Sequence, residues 1–107
     1  MGLDNPTIID ALGFDDTSGD VILAILDSWE WDDEATHLQA LKEKLKTYLG
    51  FIESGEILDV RPEAAAKGIV IEIVGKYRQT DSAKRFVKEV SAIAAEVKAT
   101  IRFKYFP

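Results

Sequence analysis

The stretch "DSWEWDDEATH", Asp27 to His37, gathers two tryptophans, five carboxylates and the chain's only histidine into eleven residues. A histidine beside carboxylates can do general acid–base work, because imidazole titrates near neutral pH and a carboxylate orients its ring. Glu34 precedes His37 by one helical turn and is the nearest candidate partner. Catalysis also wants a nucleophile, a metal or an oxyanion site, and none is evident close by. Capping or packing at the start of a helix is the plainer role for His37. Asp27, Glu30, Asp32, Asp33 and Glu34 could offer oxygens to magnesium or calcium, as could Asp16, Ser18 and Asp20 in "DDTSGD". The second stretch lacks the glycine position, the terminal bidentate glutamate and the flanking helices of a calcium hand. Solvated turns and helix capping account for both, and no metal or cofactor is expected.

Trp29 and Trp31 alternate. If an extended strand runs through them they share one face, with Glu30 opposite. They then either pack over a helix start or stand as aromatic anchors inside an acidic rim, the composition of a protein-binding hot spot. On the second reading Asp27, Trp29, Glu30, Trp31, Asp32, Asp33, Glu34 and His37 form one interface.

Charge is distributed unevenly. Residues 1 to 41 hold ten of the 19 acidic residues and no lysine or arginine, so that this part carries −10 and the remainder +4. Kept apart by the fold, the two groups would attract basic partners to one side and repel nucleic acid from it; interleaved, they would neutralise each other. Lys76, Arg78, Lys84, Arg85, Lys88, Arg102 and Lys104, near Tyr77 and Tyr105, could form a basic patch. Nothing in it reproduces a helix-turn-helix or the aromatic strand motif of RNA readers, so nucleic acid is not the expected partner. Phosphate-loop and dinucleotide fingerprints are absent. With no cysteine, disulfides, thiolate metal sites and thiol nucleophiles are excluded. No basic segment leads into a long apolar run and no stretch approaches ~20 apolar residues, so a cytoplasmic protein with no membrane partner is expected.

With 107 residues, 47% of them hydrophobic, the chain can form a single domain with one core. "TIIDAL" (7 to 12) and "VILAILD" (21 to 27), separated by a cluster of turn formers, predict a hairpin, the second strand apolar on both faces. From Asp33 to Ser54, Leu38, Leu41, Leu45, Tyr48, Leu49 and Ile52 recur at three- and four-residue steps, the stripe of an amphipathic helix. Asp32 or Asp33 can cap it, and Gly55 can end it in a left-handed turn. "EILDV" (56 to 60) is expected as a strand, as is "IVIEIVGKY" (69 to 77), where Gly75 suggests a bulge. A second helix over 80 to 99 carries Ala83, Phe86, Val87, Val90, Ile93, Ala94 and Val97, and "TIRFKYF" (100 to 106) alternates as a closing strand. The expected fold is therefore an α+β two-layer sandwich in ββαββαβ order. It has a five-stranded mixed sheet with two helices on one face, a ferredoxin-like split-βαβ plan with an extra N-terminal strand.

"NPTIIDALGFD", the glycine turn before "VILAILD", the tryptophan before an acidic helix start and "HLQALKEKLKTYLGFIESGEI" together resemble a family of small bacterial proteins known only as a domain of unknown function. The resemblance covers nearly the whole chain and is strongest from His37 to Ile57; Trp29 and Lys46 depart from it. It implies a bacterial, cytosolic setting and supplies no mechanism. The expected function is a non-enzymatic adaptor or immunity-type module that meets a basic protein through the acidic tryptophan surface. The alternatives are a small enzyme or ligand-binding domain using His37 with neighbouring carboxylates, and a self-associating structural protein.

Overall fold

The computed structural model describes residues 2–107. A short strand β1 (Ala11–Phe14) turns into β2 (Val21–Asp27), and the long helix α1 (Glu34–Glu53) follows. A five-residue helix α2 (Glu56–Val60) and a 3₁₀ turn (Pro62–Ala65) lead to β3 (Ile69–Gly75), then α3 (Asp81–Glu96) and β4 (Ala99–Tyr105). The strands form one sheet in the order β1-β2-β3-β4, with β1 antiparallel to β2 and the other neighbours parallel.

The α+β class, the hairpin and both long helices agree with the sequence. The five-stranded sheet does not: there are four strands among the described residues, because "EILDV" is helical. Gly55, left-handed at φ 84°, ends α1 and starts α2. Only Ile57 of α2 then reaches the core, while Leu58 and Val60 remain exposed. Strand propensity lost here to connectivity, since β3 pairs directly with β2 along seven residues and leaves no place between them. The two βαβ units therefore lie side by side, and the split, ferredoxin-like plan fails with the fifth strand. The first strand is also displaced, to residues 11–14 from the expected 7–12.

Val21, Leu23, Ile25, Ile69, Ile71, Ile73, Ala99 and Ile101 on one sheet face share a core with Leu41, Leu45, Tyr48 and Ile52 of α1 and Ala94 of α3. Both long helices thus cover the same face. On the opposite face Glu72 accepts a hydrogen bond from Arg102 Nε at 2.7 Å, among the half-buried Ile22, Ala24, Leu26 and Val74. Gly75 stays in register with Asp27 and Tyr105, so there is no bulge. Its glycine is required by the ring of Phe103, which a Cβ would approach to 2.5 Å. Ile93, expected in the core, is 55% exposed and faces a groove between α1 and α3.

Within the core, the Tyr48 hydroxyl donates to the Ala24 carbonyl and accepts from the Asp10 amide N–H at 2.8 Å. Burial pushes the Tyr48 phenol above its ordinary range. A pKa raised in the folded state gives stability that is complete below the unfolded value of about 10 and is lost as pH rises beyond it. Urea midpoints are therefore expected to fall between pH 9 and pH 11, and Tyr48→Phe, though less stable at neutral pH, to show a flatter alkaline decline. Equal declines in the two proteins would show that Tyr48 does not couple to folding.

Candidate functional site

Two acid–base pairs lie at the same end of the sheet, where β1 begins and β2 ends. Their basic members, His37 and Lys44, stand seven residues and about two turns apart on the inward side of α1. Asp27 closes β2 on its core-facing side, in step with Val21, Leu23 and Ile25. Asp33 caps α1 by accepting from the Thr36 amide N–H at 3.2 Å and hydroxyl at 2.8 Å. The Thr36 hydroxyl, with its amide second, holds the Asp33 carboxyl below the usual carboxylate range. This cap fixes the start of α1, and so directs His37 back beneath the segment between strand and helix.

His37 is 1% exposed and Asp27 3%. His37 Nε2 lies 2.6 and 2.8 Å from the two Asp27 carboxylate oxygens, and Nδ1 lies 3.0 Å from the Glu30 carbonyl. Both ring nitrogens face oxygens, so each contact needs a proton. Nδ1–H donates to Glu30, while a second proton sits between Nε2 and the carboxylate, on either side of that bond. Either way the pair has no net charge. Asp27 Oδ1 also accepts from the Trp29 amide N–H at 3.1 Å. Trp31 stacks on the imidazole with ring centroids 3.5 Å apart and planes 15° apart, and Trp29 leans on it at 5.7 Å and 56°.

The sequence nominated Glu34 as the partner of His37; the structure puts Asp27 and the Glu30 carbonyl there instead. The tryptophans do not share a strand face, because β2 ends at Asp27; both close around the histidine ring and are half-buried. Glu30, Asp32 and Asp33 are exposed. Glu30 and Asp32 make no ion pair within 4.0 Å among the described residues. No three acidic or histidine side chains converge as metal ligands among the described residues. In "DDTSGD", Asp15 accepts from the Thr17 and Ser18 amides and the Ser18 hydroxyl from the Asp20 amide, all within the turn, while the Asp20 carboxylate accepts from the distant Gly68 amide just before β3.

Sequence reasoning missed the second pair. Lys44 and Asp10 side chains are fully buried and meet at 2.7 Å. Lys44 Nζ also donates to the Asn5 carbonyl at 2.6 Å, and Asp10 accepts from the amides of Gly2 and Leu26, each at 2.9 Å. The signal was present: Lys44 falls between Leu41 and Leu45, on the apolar stripe itself. This pair fastens residues 2–10 across the end of the sheet, with Leu3 buried in the core.

A histidine used as a general base needs one nitrogen turned toward a substrate while a carboxylate holds the other. Here both nitrogens are engaged and a tryptophan covers the ring. Surface grooves lie between α1 and α3, beside α2, and at Arg78 and Tyr105. The arrangement suits a clamp. Through one ring it ties the end of β2 and two points of an irregular six-residue segment, Ser28 to Asp33, to a helix.

No helix among the described residues is long and apolar enough to cross a membrane. Residues 1–107 match a family described as a family of unknown function, DUF6572, and the chain belongs to it. No curated protein and no solved structure matches it.

Proposed function

We propose that this member of DUF6572 is a protein-binding module that meets a basic partner surface through the segment Ser28–Asp33. The observation that carries the proposal is the His37 clamp. It spends a buried acid–base pair on ordering a segment that sets Trp29 against the core and presents Glu30 and Asp32 without cationic partners. Ordering a loop before binding lowers the entropic cost of association, and unpaired carboxylates around half-buried tryptophans supply charge and anchor together. Among the described residues, the ion pair joining the acidic first 41 residues to a lysine or arginine of the remainder is the buried Asp10–Lys44. The exposed acids are thus left for something else. The engagement of both His37 nitrogens favours this reading over a catalytic one.

Affinity capture from the chain's own cells tests it, comparing the wild type with Glu30→Lys/Asp32→Lys, two exposed residues whose side chains make no contact in the clamp. A partner is expected to bind the wild type, to be released by salt and to be lost with the double variant. Capture at equal strength by both would overturn the assignment.

A further inference from the structure

A second surface at the same end of the sheet has the opposite character. Arg78 and Gln79 follow β3, Lys84 stands in the first turns of α3, and Phe103 and Tyr105 close β4; together they line a cavity of about 360 Å³. Neither Arg78 nor Lys84 has a carboxylate within 4.0 Å among the described residues. The Arg78 guanidinium lies 4.1 Å from the centre of the Tyr105 ring, held there by the ring's π face. The two cations thus stand unpaired beside aromatic rings on one concave surface, where an anion fits between them.

We propose that this cavity binds a small phosphorylated molecule with a planar body, an aryl or nucleoside monophosphate in chemical class. A phosphate dianion has enough acceptor oxygens for the Arg78 guanidinium and the Lys84 ammonium at once. The N-terminal end of the sixteen-residue helix α3 adds favourable potential for the anion, and Asp81 in its first turn lies outside the lining. Phe103 and Tyr105 offer ring surface for the body of the ligand. This site is separate from the acidic segment, so the two proposals stand or fall independently.

Titrations of the ¹⁵N-labelled protein with phenyl phosphate, inorganic phosphate and phenol separate the contributions. Phenyl phosphate is expected to give saturable shifts at Arg78, Gln79, Lys84 and Tyr105, phosphate weaker shifts at the same residues, and phenol none that saturate. Lys84→Glu, at an exposed position, is expected to keep the fold by circular dichroism and to weaken phenyl phosphate binding by about tenfold or more. Absence of saturation by about 10 mM phenyl phosphate, or undiminished binding in folded Lys84→Glu, would overturn the proposal.

Discussion

Lys44→Met is expected to remove about 3–5 kcal/mol of stability, a large share of the ~5–15 kcal/mol available to a domain of this size. The mechanism is a stranded charge. Lys44 and Asp10 are fully buried, and without the ammonium the Asp10 carboxylate keeps only the Gly2 and Leu26 amides as partners. Removing the second charge should therefore recover part of the loss. Asp10→Asn combined with Lys44→Met is expected to be more stable than the sum of the two single changes predicts, with a coupling of about 1–3 kcal/mol. Recovery is partial, because an asparagine oxygen can accept from only one side of the position where two backbone amides converge. Urea denaturation of the wild type, the two single variants and the double variant measures this coupling. Strict additivity would mean that the pair is not coupled in the folded protein.

His37→Ala is the other large perturbation. It removes a buried ring, leaves the Asp27 carboxylate with only the Trp29 amide, and takes away the surface on which Trp31 stacks. A loss of about 3–5 kcal/mol is expected from the cavity and the unpaired acid together. Tryptophan emission should shift to the red as Trp31 loses its stacking partner. Asp27→Asn, which preserves shape and one acceptor, should cost less and leave the emission closer to that of the wild type. A stability change under about 1 kcal/mol in His37→Ala would show that the ring does not clamp the segment.

These two pairs also explain what the sequence could reveal. The long helices were legible because their apolar residues repeat every three or four positions, and the cap at Asp33 and the left-handed turn at Gly55 were legible because those residue types have specific backbone roles. "EILDV" misled because five residues do not separate a strand from a turn of helix. What decided was the seven-residue pairing of β2 with β3, a long-range fact. His37 stood out by rarity, yet its partner lies ten residues back at the end of a strand rather than one turn away on its own helix. Glu34 was nominated through helical proximity, and strand geometry supplied Asp27. The Lys44–Asp10 pair spans 34 residues, so only the misplaced charge on the apolar stripe hinted at it. The pocket at Arg78 assembles residues from two strand ends and a helix, and the basic cluster in the sequence did not distinguish them from Arg102, which is paired with Glu72.

The reading of Ser28–Asp33 as a clamped binding segment is tested most directly by amide hydrogen exchange, with and without the partner recovered by capture. The account predicts slow exchange of the Trp29 amide in the free protein, and partner-dependent protection concentrated at residues 28–34. Protection elsewhere with residues 28–34 unchanged would contradict it.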